Sequence, residues 1–146
     1  MTGVQTCALP ICLEISPDQQ AEWNLLMDLR SQALGQLDKL TREVKTNEGL
    51  GYKALDAEII FSVEDEATRR KLQAYGVDLA DMVGAGHHSF AEKTDMAGPA
   101  VTVKIIDRRA TYRTCARSWK RRPDVGADPD YPDVSLRDAL AMKART

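Results

Sequence analysis

The sequence predicts an α+β fold, with a long N-terminal helix, a small mixed α/β subdomain and a C-terminal segment laid out like a zinc ribbon. Three observations carry this. A helix start at Ser16-Pro17-Asp18 precedes apolar residues at helical spacing. Two later stretches, 54–63 and 100–106, alternate like half-buried strands. Two short turns, Cys115-x-x-Ser118 and Ser135-x-x-Asp138, have sixteen residues between them, the spacing of a C-x2-C…C-x2-C frame.

A chain of 146 residues is enough for one domain or pieces of two. Its 20 basic and 22 acidic residues nearly balance, so bulk charge names no partner. Three cysteines, an odd count, argue against a disulfide framework and fit a reducing, cytoplasmic setting. No stretch approaches the roughly 20 apolar residues of a membrane span, so no membrane partner is expected. Aromatics make up 5%, which predicts a small core of Leu, Val, Ile and Met.

Residues 1–11 resemble the in-frame translation of a DNA-sequencing adapter, so residues 1–12 are set apart as an artefact and Cys7 and Cys12 are given no role. A secretory signal is the rival reading, but no Lys or Arg precedes the apolar run and Pro10 interrupts it. Ser16 can cap free amides, and Pro17 suits the first helical position. The helix is expected to run to about Val44, with Trp23, Leu26, Met27, Leu37, Leu40 and Val44 facing the core, weakened locally by Gly35. Its Arg30, Lys39, Arg42 and Lys45 are a solvated face or, less simply, an RNA-reading one.

Residues 47–51 are glycine-rich and read as a turn or linker. In the strand over 54–63, Leu55, Ala57, Ile59 and Phe61 share a face. Residues 64–75 form a second helix ended by Gly76. Residues 77–83 are expected as a half-turn, and Gly84-Ala-Gly86-His87-His88 as a plain loop, since no phosphate-loop lysine follows. A polar hairpin connection over 92–99 leads to the strand over 100–106, with Val101, Val103 and Ile105 on one face. Residues 134–143 close the chain as a short helix. The expected units are 13–47, a terminal helix; 48–109, the small α+β part; and 110–146, the ribbon-like segment.

From Lys104 to Arg122 the chain carries Lys104, Arg108, Arg109, Arg113, Arg117, Lys120, Arg121 and Arg122 against one acid, Asp107. Tyr112 and Trp119 are interleaved. Arginines grip phosphates bidentately and an aromatic ring can stack on a base. A solvated charged run balanced by Asp124, Asp128, Asp130 and Asp133 is the equal alternative.

The ribbon frame holds one thiol, two hydroxyls and one carboxylate. Zinc wants four thiolates or imidazoles, and serine keeps its proton at neutral pH. No intact metal site is expected, and Cys115, Ser118, Ser135 and Asp138 are its remnant positions. Hydrogen bonds are expected in place of the metal, with Asp138 accepting from backbone amides or from Arg117.

The stretch 115–138 resembles the C-terminal zinc-finger segment of bacterial isoleucyl-tRNA synthetases. Cys115, Arg117, Trp119, Val125, Gly126, Asp128, Pro132, Asp133 and Arg137 match the family's turns, while Ser118, Ser135 and Asp138 stand where it has cysteine. Trp23, Leu29-Arg30, Leu37, Leu40 and Leu55-Asp56-Ala57-Glu58 extend the likeness backwards. The resemblance implies the tail of an ATP-dependent ligase that charges tRNA with isoleucine in protein biosynthesis. In that family the catalytic, editing and ATP-binding parts lie upstream, and neither His-x-Gly-His nor Lys-Met-Ser-Lys occurs in this chain. No catalytic residue and no cofactor are therefore expected here; the expected partners are tRNA and the upstream domains. Arg117, Trp119, Lys120, Arg121 and Arg122 are the expected tRNA contacts. Two alternatives remain: a stand-alone nucleic-acid module with a finger like that of DNA glycosylases, and a purely structural domain.

Overall fold

A computed structural model describes residues 15–48, 53–92 and 101–145, with the side chains of 44–48 excepted. The expected linker over 47–51, the connection over 92–99 and residues 1–12 fall largely or wholly outside the described residues.

Helix α1 (Pro17–Glu48) starts where the sequence places it. Ser16 Oγ accepts from the Gln19 amide at 3.2 Å and Gln19 Oε1 accepts from the Ser16 amide at 3.0 Å, a reciprocal capping box. Its buried stripe is Leu26, Leu29, Ala33 and Leu37. Trp23 departs from expectation: it is 53% exposed. Successive residues of an α-helix are turned by about 100°, and the register that buries Leu26, Leu29 and Ala33 places Trp23 at the rim of the stripe.

A 3-10 turn, Ala54–Asp56, precedes β1 (Ala57–Val63), so the expected strand begins three residues late. Ala57, Ile59, Phe61 and Val63 are buried, as period-2 alternation requires. Helix α2 (Glu66–Ala74) is capped by Asp65, whose carboxylate accepts from the Thr68 amide at 2.7 Å. Residues 78–83 form a helix, α3 (Asp78–Val83), where a half-turn was expected; Leu79, Ala80 and Val83 bury one face and Gly84 ends it in the left-handed conformation. The expected loop of His87 and His88 is a strand, β2 (His87–Phe90), parallel to β1. Gly86 makes the entry possible: a Cβ there would lie 2.1 Å from the Leu55 carbonyl oxygen. Strand β3 (Val101–Asp107) runs antiparallel on the other side of β1, giving the order β2-β1-β3, so the strands on either side of 92–99 do not pair as the expected hairpin, because β1 lies between them.

Helix and sheet share one core. Leu26, Leu29 and Ala33 of α1 pack with Ile59, Phe61, Val63, Leu72, Leu79, Val83 and Val103. The free edge of β3 is not left open. Gln36 donates to the Val103 carbonyl at 2.6 Å and accepts from the Ile105 amide at 3.0 Å, occupying two of the outward ladder groups of that edge. Arg30 donates to the Met82 carbonyl at 2.7 Å, so it serves the α1–α3 contact.

The C-terminal segment has its own small core. Strands β4 (Arg113–Thr114) and β5 (Arg121–Arg122) pair across a tight turn, and helix α4 (Leu136–Lys143) closes the segment. Cys115, Val125, Val134 and Ala139 are buried together, covered by Tyr131 and Met142.

Candidate nucleic-acid interface

The turn between β4 and β5 is a knuckle. The Cys115 amide donates to the Lys120 carbonyl, and the Trp119 amide to the Cys115 carbonyl, each at 2.9 Å. Closing so tight a turn puts Trp119 at φ +63°, in the left-handed region that bulky residues avoid. Its ring is 65% exposed. The Lys53 ammonium lies 5.6 Å from the ring centroid, a cation–π pair that sequence distance had hidden.

The second turn, from 124 to 135, folds back on the first. The Ala116 amide donates to the Asp133 carbonyl at 2.9 Å, and the Gly126 amide to the Val134 carbonyl at 3.1 Å. Gly126 sits at φ +87° with the Arg113 guanidinium and the Pro132 carbonyl where a side chain would go. Ser135 caps α4. The two turns thus bring all four remnant positions together. Cys115 Sγ lies 3.1 Å from Asp138 Oδ2, and Ser135 Oγ donates to the same oxygen at 2.8 Å. The amides of Ser118 and Ser135 donate to Cys115 Sγ at 3.5 and 3.4 Å. Asp138 does accept from protic neighbours, but chiefly from the thiol and a hydroxyl rather than from backbone amides. Burial would raise its pKa; bonds from Cys115, Ser135 and Ser118 and the charge of Arg117 outweigh that and hold the carboxyl below its ordinary range. Ser118 Oγ is close enough to contribute, yet is buried without a well-formed hydrogen bond.

This donor set does not fit zinc. One thiol and one carboxylate face each other, and the hydroxyls keep their protons. Among the described residues, no three His, Cys, Asp or Glu side chains come close enough to hold a metal ion.

The basic run is largely engaged within the molecule. Lys120 pairs with Asp81 and is mostly buried. Arg121 pairs with Asp56 at 2.7 Å and donates to the carbonyls of Arg109 and Tyr112 at 3.2 and 2.9 Å, tying the knuckle to the sheet. Arg122 pairs with Asp124 at 3.0 Å, and Arg109 with Asp107 at 2.9 Å. Two arginines of the run stay exposed: Arg113, 63% exposed and 3.3 Å from Asp133, and Arg117, 43% exposed and 3.8 Å from Asp138. Of the five expected contacts, Trp119 and Arg117 face solvent, whereas Lys120, Arg121 and Arg122 brace the fold. Lys53 joins the exposed pair.

A second polar cluster joins sheet and knuckle. Glu58 on β1 is buried on the sheet face and accepts from Arg108 at 2.5 Å and Tyr112 at 3.2 Å. Burial alone would raise its pKa; bonds from Ser89 and Arg108 and the charges of Arg108 and His87 bring it below the ordinary value. Beside β2, a cleft of about 250 Å³ is lined by His87, His88 and Arg122 over Val77 and Ala80. Burial, above all, holds both imidazoles below their ordinary pKa. Only alternation and charge could have flagged Glu58, and a lone acid in a strand carries no such signal.

The α+β unit is closed by a double-turn knuckle that leaves Trp119 and Arg117 exposed, and its relatives are aminoacyl-tRNA ligases. The chain is homologous to isoleucine–tRNA ligases. It is 31% identical to that of Geobacillus kaustophilus over 135 residues, 89% of this chain and 14% of the relative. It is 32% identical to that of Bradyrhizobium diazoefficiens over 128 residues, 84% of this chain and 12% of the relative. With that of Brucella abortus it shares 32% over 95 residues, 62% of this chain and 10% of the relative. The chain therefore spans roughly a tenth to a seventh of the length of the curated relatives it matches. No family model matches it. No helix among the described residues is long and apolar enough to cross a membrane.

Proposed function

We propose that this segment binds tRNA on behalf of an isoleucine–tRNA ligase, near the anticodon and in the cytoplasm, while charging and editing take place in other parts of the enzyme. The observation that carries the reading is Trp119. The left-handed backbone, a cost on the order of 1 kcal/mol, is offset by the two 2.9 Å bonds that close the knuckle, and it leaves the side chain of a large aromatic residue standing in solvent. An exposed ring with the Lys53 ammonium over it, two residues along the chain from the half-exposed Arg117, is what an unstacked base and its phosphate call for. Lys120, Arg121 and Arg122 then act as braces that aim this tip, and any contact they add is secondary.

The test is a titration of the full chain with a tRNA-Ile anticodon stem-loop at several salt concentrations. Affinity should fall with salt in proportion to the phosphates neutralised. Trp119→Ala should weaken binding by about 1–3 kcal/mol with little change in stability. Arg117→Ala should lower the salt slope by about one. Unchanged affinity in Trp119→Ala, together with a flat salt dependence, would leave the purely structural role, which the internal pairing of Lys120, Arg121 and Arg122 favours.

A further inference from the structure

The knuckle keeps the spacing of a four-ligand metal frame and fills it with groups that do not suit a metal. We propose that Asp138 has taken the structural place of the metal ion, so that the knuckle folds without zinc while its backbone still holds the frame in which zinc would fit. This inference is independent of tRNA binding.

A zinc ion is a positive centre to which ligands present lone pairs. An anion at the centre needs the reverse: its neighbours must present protons. The residues present satisfy that inversion. Cys115 has an S–H within 3.1 Å of Asp138 Oδ2, and Ser135 donates its O–H to the same oxygen at 2.8 Å. The Ser118 hydroxyl is buried without a hydrogen-bond partner. Two protic groups on one carboxylate oxygen form a self-consistent set, because an ionised carboxylate offers about four acceptor sites. Four thiolates around nothing would not. Arg117 balances the charge from the solvent side, 3.8 Å from Oδ1. The backbone does its part regardless of the centre: the amides of Ser118 and Ser135, one from each turn, both point at the Cys115 sulfur. The main-chain bonds from Ala116 to Asp133 and from Gly126 to Val134 also hold the two turns together, independently of the groups at the centre.

The test uses the full chain and the triple variant Ser118→Cys/Ser135→Cys/Asp138→Cys. Each is incubated with zinc, passed through gel filtration and assayed for metal, then melted with and without a chelator. The wild type should carry no zinc, and its melting should ignore the chelator. The triple variant should carry one zinc per chain and lose thermal stability on chelation. In hydrogen exchange, Asp138→Ala should lose roughly tenfold of the protection at the Ser118 and Ser135 amides. Asp138→Asn should retain most of it, since its carbonyl oxygen can accept from Cys115 and Ser135. Stoichiometric zinc in the wild type, or chelator-sensitive melting, would overturn the proposal. So would a folded triple variant that binds no zinc. If the triple variant does not fold, the wild-type metal content and the Asp138→Ala/Asp138→Asn contrast decide the matter on their own.

Discussion

Replacing Glu58 with alanine should be among the most damaging single changes outside the apolar core. The Glu58 side chain is 3% exposed and accepts from Arg108 at 2.5 Å and Tyr112 at 3.2 Å. Its loss leaves Arg108, whose side chain is 25% exposed, without its counter-charge, and a phenol without an acceptor. Removing one partner of a fully buried pair costs about 3–5 kcal/mol. Arg108 still reaches water, so part of that is recovered, and roughly 2–3 kcal/mol is expected. For a chain of this size, that corresponds to a drop in Tm of about 4–12 °C. Urea unfolding followed by circular dichroism measures it, with Asp38→Ala as the control. Asp38 pairs with Arg42 on the exposed face of α1, and losing it should cost under about 0.5 kcal/mol. The pH dependence gives a second reading. The folded Glu58 carboxyl titrates below its ordinary value of 4.5, so its contribution is complete above that value and is lost as pH falls through the lower folded one. The gap between wild type and Glu58→Ala should therefore narrow in acid. If the variant matches the control at neutral pH, the cluster does not hold sheet and knuckle together and the reasoning fails.

Two further substitutions test the core. Gly86→Ala would push a Cβ to 2.1 Å from the Leu55 carbonyl oxygen, and backbone cannot move aside cheaply; a loss of about 3 kcal/mol or more is expected by circular dichroism melting, while Gly35→Ala, with open space around it, should gain up to about 1 kcal/mol. Leu29→Ala empties a fully buried position between α1 and the sheet and should cost about 3–5 kcal/mol in urea unfolding; a cost below about 1 kcal/mol would mean that α1 does not share the sheet's core.

Much of the fold was legible because its signals are local. The cap at Ser16, the alternation through Ile59 and Phe61, the face of Val101, Val103 and Ile105, and the Gly76 stop all act within a few residues. The spacing of Cys115, Ser118, Ser135 and Asp138 likewise announced two turns that meet, and they do. Where local signals were weak, the tertiary structure decided. His87 and His88 became a strand because Gly86 lets the chain pass against Leu55 and β1 offers an open ladder. Trp23 looked like core, but the register that buries Leu29 and Ala33 excludes it. Charge was the least legible property. Eight basic residues in a run of nineteen read alike in sequence, yet Asp56 and Asp81, both far along the chain, pair with Arg121 and Lys120 and leave Arg117 facing solvent. Sequence by itself determined the segments with strong local signals, α1, β1, α2, β3 and α4, because hydrophobic period and turn chemistry are short-range. Which cations are buried in ion pairs and which stay exposed, and which aromatic ring is presented, depended on partners that only the folded chain brings within a few ångströms.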